Sequence, residues 1–410
     1  MAVAAGIVLR LTAQIILSLL NLAELRRHAD AVPETYAGLM DPQAYARAVR
    51  YTEAKGRFAI LEHVWDAAVL ALVIFTGVLP WAWSAWSAIA GTAAWSGALF
   101  IIALLVALAL PGLPLEWWAQ FRIEERFGFN RSSIALWISD KLKGLVLTLV
   151  IGFPLLWLLL SLVAWMGERW WLIGWAVFMG FQLLMIVIYP MVILPWFNKL
   201  TPLPEGSLRQ RLLAMAERAG FKASTILVMD GSKRSGHSNA FFTGFGRFRR
   251  IVLFDTLIEQ LAEDELEAVL AHEIGHYKLG HIPRMLAVSA ASTFIGFAII
   301  GWVARSEAFF RAFGFAEPNL PVAFVLVALL GGVVTFWLSP LINALMRRHE
   351  YQADAFARKL VGSPEPLSRA LRKLTKENLS NLTPHPLFSA FYYSHPTLHE
   401  REAALHAADS

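Results

Sequence analysis

Long stretches without a charged residue recur along this chain. Their lengths match the roughly 20 apolar residues that cross about 30 Å of hydrocarbon as a helix. Residues 67–115 contain no charge at all, and Pro80 with the Trp/Ser/Gly-rich stretch 81–92 divides them into two predicted spans, 64–81 and 94–114. Four further uncharged runs predict spans over 145–165, 170–198, 285–304 and 318–346. The stretch 6–23 makes a seventh, with Arg10 in its middle. A secretory signal peptide is the other reading of that stretch, but no basic region precedes the apolar run. As part of a span, Arg10 should face a cavity or an interface rather than lipid.

Composition supports the pattern. Hydrophobic residues make up 57% of the 410 residues and charged residues only 16%, against about 25% charged in an average soluble domain. A net charge of +5 is too small to argue for a nucleic-acid partner, but its distribution orients the chain. The segments 24–63, 116–144, 195–284 and 347 onward carry 6, 5, 12 and 9 Lys/Arg, whereas 82–93, 166–169 and 305–317 carry 0, 1 and 2. Basic residues accumulate on the cytoplasmic side, so the N-terminus is expected outside and the C-terminus inside. Trp and Phe gather near the span ends, as at Trp81, Trp117, Trp118, Trp170 and Trp171, in the manner of an interfacial belt.

Four parts follow: membrane helices one to five over 1–198, a cytoplasmic insertion over 199–283, two more spans over 284–346, and a cytoplasmic tail over 347–410. The insertion reads as a small α/β unit. A helix is expected over Ser207–Ala219, strands over Thr225–Met229, Asn239–Thr243 (between Gly236 and Gly244) and Ile251–Phe254, and a helix over Thr256–Tyr277.

That last helix carries His272-Glu273-Ile274-Gly275-His276. Residues four apart share a helix face, so His272 and His276 can reach one metal ion about 2 Å from their nitrogens. Glu273 sits about 100° around, placed to hold a water as general base without being a ligand. There is no cysteine, so disulfides and thiolate metal sites are excluded and any metal must be held by His and carboxylates. A third ligand is needed. A metzincin arrangement would put Gly and His at 279 and 282, which are Leu and Ile here. A distant carboxylate remains, and Arg347-Arg348-His349-Glu350-Tyr351-Gln352-Ala353-Asp354 is the best candidate, with Glu350 as ligand and Asp354 accepting a hydrogen bond from a ligand imidazole. Its other reading is a solvated charged turn after a span. Topology supports the first: His276 precedes one span and Glu350 follows the next, so two crossings return the chain to the same membrane face.

These residues resemble the M48 family of integral-membrane zinc metalloproteases. The matching runs are His272 to His281 and Arg347-x-x-Glu-Tyr-Gln-Ala-Asp. Phe121 to Ser132, the Ser-Asn-Ala-Phe-Phe-Thr-Gly run from Ser238 and Ser394-His395-Pro396 are similar to the Ste24-like type I CAAX prenyl proteases within it. The resemblance covers nearly the whole chain. It implies a mainly α-helical polytopic membrane protein, about seven helices forming a water-filled chamber, with a small cytoplasmic α/β zinc-protease domain and Zn2+ as cofactor. It further implies that Asn239 and Ala240 present backbone to a substrate peptide, that His395 supports the transition state, and that Arg401 recognises the substrate end. The implied partners are the lipid bilayer and a peptide or protein substrate, prenylated or not, cleaved near its C-terminus.

The expected activity is therefore a zinc-dependent endopeptidase facing the cytoplasm, in a bacterial inner membrane or the endoplasmic reticulum. Two rivals stay open: a quality-control protease of membrane proteins resembling the HtpX branch, and a metal-binding transporter or channel. The transporter would need ionisable groups at mid-span, where essentially only Arg10 and Asp66 are found. Of the remaining residues, His281 reads as structural or as a member of a proton network. His349 reads as solvated, His237 as a cleft residue, and Arg347 as a brace for Glu350 or a span flank. Ser238 to Phe242 has the look of a sheet edge to which an extended peptide could add.

Overall fold

The structure, a computed structural model, describes residues 1–221, 225–243 and 250–407. Gly244, expected to close a strand, lies outside the described residues. Among those described, six helical runs are long and apolar enough to cross a membrane: Ala2–Arg27, Pro42–Phe75, Ala94–Glu124, Ile134–Phe197, His281–Val303 and Leu320–Val361. The run Ile134–Phe197 has 64 residues and, if straight, would extend roughly 96 Å, about three times the hydrocarbon thickness. It turns instead at Gly167, whose φ of +54° ends the helix Phe153–Met166. Its second half, Trp170–Ile188, packs back on the first, so the run reads as two passes.

The second span was misplaced by the hydropathy pattern, which put it at 64–81. The helix starts at Pro42, with the Asp41 carboxylate accepting the Ala44 N–H at 2.8 Å as an N-cap, and ends at Phe75 before the left-handed Gly77. Pro80 is not a kink within it but stands in the first turn of a separate short helix, Val78–Ala90. Lys55 and Glu62 of the longer helix line a cavity rather than a lipid-facing surface, which is how charge is tolerated on such a helix. The final span also outruns its prediction: the helical run from Leu320 continues to Val361, so the segment that leaves the apolar layer carries Glu350 and Asp354 with it.

The insertion forms a four-stranded sheet in the order β1 (Leu200–Pro202), β2 (Thr225–Met229), β4 (Arg250–Phe254), β3 (Ala240–Thr243). The pair β2 and β4 is parallel, and both outer strands run antiparallel to their neighbours. β1 had no counterpart in the sequence reading. The helix expected over 256–277 is two helices, Asp255–Gln260 and Glu263–Lys278, and at the break the Glu265 carboxylate accepts the Ala262 N–H at 2.8 Å. Leu212, Met215, Ile251, Leu253, Leu266, Leu270 and Ile274 are fully buried between sheet and helices. Each contributes about 1.5–3 kcal/mol from leaving water.

This unit is strapped to the membrane helices. Arg234 donates to both carboxylate oxygens of Asp140 at 2.8 and 2.9 Å, the Gly236 N–H donates to the Phe129 carbonyl at 2.9 Å, and Asn130 bridges Ser235. The 121–132 segment therefore docks immediately before β3.

Candidate active site

Two helices build the site. The first, Glu263–Lys278, carries His272 and His276; the second, Ser339–Val361, carries Glu350 and Asp354. They pack closely because Gly275 has no side chain: a Cβ there would stand 3.1 Å from the Cα of Ala353 and 3.2 Å from its carbonyl oxygen. The small pair Gly275 and Ala353 thus lets the imidazoles reach the carboxylates.

His272 Nε2 and His276 Nε2 lie 3.1 Å apart, and Glu350 places its oxygens 3.4 Å from the first and 3.3 Å from the second. Ligands held about 2.0–2.1 Å from a tetrahedral ion stand roughly 3.3 Å from one another. The triangle therefore fits a metal ion, and these are the residues that could hold one. Glu350 is 2% exposed and its Oε2 lacks a hydrogen-bond partner. A buried carboxylate oxygen left without a donor is costly, and a cation satisfies it.

The other nitrogen of His272 is also engaged. Nδ1 lies 2.7 Å from Asp354 Oδ1; Nδ1–H donating to that carboxylate leaves the Nε2 lone pair for a metal. Asp354, 1% exposed, also accepts two bonds from Arg401, at 2.8 Å from Nε and 2.6 Å from Nη2. Glu273 lies outside the triangle. Burial pushes its carboxyl above the ordinary carboxylate range, with the two neighbouring imidazoles opposing the shift.

His395 stands on the open side, its Nε2 3.4 Å from Glu350 Oε1 and its side chain 62% exposed. It projects into a cavity of about 850 Å³, lined among others by Tyr51, Lys55, Glu124, His237 and Tyr392. The cavity joins the site to the membrane helices. The chain after His395 turns into the helix Leu398–Ala407 through a reciprocal cap, Thr397 N–H donating to Glu400 at 2.7 Å and Glu400 N–H to Thr397 Oγ1 at 3.4 Å. One turn later this helix delivers Arg401.

Arg401 does not stand open to a substrate. It is 8% exposed, and its fork is occupied by Asp354. Asn239 is exposed and its side chain accepts the Ala240 N–H at 2.8 Å. β3 packs against the helix bearing His272 and has β4 on one side; among the described residues no strand covers its other side. His349 is buried, not solvated as expected, and stacks flat on His281 with ring centroids 4.1 Å apart. Arg347 donates to the Tyr393 carbonyl at 2.8 Å, so it braces the approach to His395 rather than Glu350. His237 lines the cavity, as read from the sequence.

Residues 21–199 match the profile of the CAAX prenyl protease N-terminal region with its five membrane helices, and residues 202–409 match that of peptidase family M48. The chain belongs to peptidase family M48. Among its M48 relatives, CAAX prenyl protease 1 of Saccharomyces cerevisiae is 36% identical over 91% of this chain and 88% of its own length. The human CAAX prenyl protease 1 homolog is 32% identical over the same shares. The crystal structure of S. mikatae Ste24p superposes with a TM-score of 0.93 at 33% identity, covering 98% of each chain. The chain is thus a multi-span membrane metalloprotease, and the expected fold of membrane helices with a small α/β protease unit is the one observed.

Proposed function

We propose that this protein is a zinc endopeptidase that cleaves near the C-terminus of CAAX-type proteins, prenylated ones included, at the cytoplasmic face of its membrane. The triangle of His272, His276 and Glu350, linked to the 850 Å³ cavity through His395, whose Nε2 lies 3.4 Å from Glu350, carries the reading. Zinc suits this donor set, two imidazoles and one carboxylate; when bound it supplies Lewis acidity, polarising the scissile carbonyl and making a water more acidic.

Glu273 takes the proton of the attacking water and hands it to the leaving amine. His395, on the open side, donates to the oxygen on which charge develops. The free side of β3, beginning at Asn239 and Ala240, pairs with the extended peptide. Asp354 holds His272 in its ligating tautomer, and Arg401 holds Asp354 charged and in place. A lipid chain on the substrate lies in the cavity between Tyr392 and the membrane helices. The parts are seven crossings, five in 1–198 and two in 284–346, with the catalytic unit in 199–283 and the tail 347–410.

Purified protein with zinc should cut a farnesylated peptide ending in a CAAX sequence after the modified Cys, and a chelator should stop it. Cleavage of unrelated membrane proteins with none of the CAAX peptide would favour a quality-control role and overturn this one. The same assay tests Arg401. Because its fork is on Asp354, Arg401→Ala should slow a free-acid peptide and its C-terminal amide alike; a loss confined to the free acid would restore the end-recognition role implied by resemblance.

Orientation is tested by labelling. With no native cysteine, a thiol introduced near Ser207 should react from the cytoplasmic side and one near Ser87 from the opposite side. The reverse pattern would invert the charge-based topology.

A further inference from the structure

Two side chains beside the metal triangle have no role in the mechanism above. His281 opens the helix His281–Val303 and is 3% exposed. Its Nδ1 lies 3.0 Å from Nδ1 of His276, and its Nε2 lies 3.0 Å from Oε1 of Gln352. The ring is held flat against His349, at an interplanar angle of 11°. Gln352 sits two residues beyond Glu350 on the same helix.

We propose that His281 and Gln352 are a pair of positioning residues that fix the tautomer of His276 and so free its Nε2 for the metal. The inference rests on His276 being a ligand. Its logic is a count of hydrogens. A neutral imidazole carries one N–H and one lone pair. Gln352 turns its carbonyl oxygen, which only accepts, toward His281. His281 therefore holds its hydrogen on Nε2, and its Nδ1 is left as an acceptor. The facing Nδ1 of His276 must then be the donor in the 3.0 Å contact. With its hydrogen spent there, His276 has only the Nε2 lone pair left, directed at His272 and Glu350. A reversed amide at 352 would reverse every link and place a hydrogen on His276 Nε2, where it would block coordination.

The two ligand histidines are thus oriented differently. His272 donates to a carboxylate that is itself fixed by Arg401. His276 donates to a neutral ring whose direction is set by an amide. The Gln352 oxygen, not the bulk of its side chain, is the working part, and that separates this role from mere packing.

The test is zinc affinity of the full-length detergent-solubilised protein, by competition with a chromophoric chelator. Thermal unfolding of the metal-free form is read alongside it. Gln352→Leu keeps the volume and removes the acceptor; its zinc Kd should rise about 10–100-fold, the usual loss for an outer partner of a metal ligand. Gln352→Glu keeps an acceptor and should stay within about 3-fold of wild type on the same grounds. His281→Ala should weaken zinc about as much as Gln352→Leu, and it decides the matter if the Leu variant does not fold. Wild-type affinity in both Gln352→Leu and His281→Ala would overturn the proposal. So would equal losses in the Leu and Glu variants, since packing would then be the cause. A wild-type protein that binds no zinc would overturn the ligand assignment itself, whereas tight wild-type binding with unaffected variants would remove only the positioning pair.

Discussion

Glu273→Gln is expected to leave zinc content and folding unchanged while lowering turnover by about 10³-fold, within the range spanned by loss of a general base. The amide has the shape of the carboxylate but cannot accept the water proton. Glu273 lies outside the triangle formed by His272, His276 and Glu350, so coordination does not depend on it. Its burial raises the carboxyl above the ordinary range and brings it nearer the pKa at which a base both accepts and returns a proton. Zinc per chain by elemental analysis and kcat on a CAAX peptide are the measurements. A variant turning over within 10-fold of wild type would remove Glu273 from the proton path, by the same range.

Glu350→Ala should have the opposite signature, loss of zinc before loss of anything else. The remaining imidazoles offer two donors, and the chain contains no thiolate to substitute. Losing a direct ligand should exceed the 10–100-fold typical of an outer partner, so the purified variant should carry far less than one zinc per chain. The fold should survive, because the packing of Gly275 on Ala353 does not involve Glu350, and Arg401, which loses a 3.7 Å ion pair to Glu350, keeps both hydrogen bonds to Asp354. Undiminished zinc in this variant would mean that the third ligand lies elsewhere. Asp354→Ala is a useful contrast: it removes a hydrogen-bond acceptor from His272 and strands the buried Arg401 charge, so its cost should appear in stability as well as in metal affinity.

Much of this architecture was legible because membranes penalise charge so heavily. Runs free of Asp, Glu, Lys and Arg marked five of the seven predicted spans, and the His272–His276 spacing marked two corners of the triangle that could hold a metal. Glu350, chosen as the best distant carboxylate and supported by the count of crossings, does lie beside the two histidines. The failures have physical causes too. Lys55, Glu62 and Asp66 hid the start of the helix Pro42–Phe75, because residues that face a cavity rather than lipid escape the lipid rule that hydropathy assumes. β1 has three residues, too few to show an alternating pattern. The contact of Arg401 with Asp354 gave no sequence signal, because the two lie 47 residues apart and meet only through the tertiary fold. Gln352 gave no signal at all, since an amide on a polar helix face is ordinary until a histidine from another helix is seen against it.

The three residues that could hold the metal are divided along the chain in a way that bears on synthesis. His272 and His276 precede the last two membrane crossings, Glu350 follows them, and Arg401, the counter-charge of Asp354, comes later still. A nascent chain therefore carries half a site through membrane insertion. With the ligands as proposed, it cannot close the triangle until the helix bearing Glu350 has emerged. On that reading, the order in which segments leave the ribosome delays assembly of the triangle until the helix run Leu320–Val361 is made.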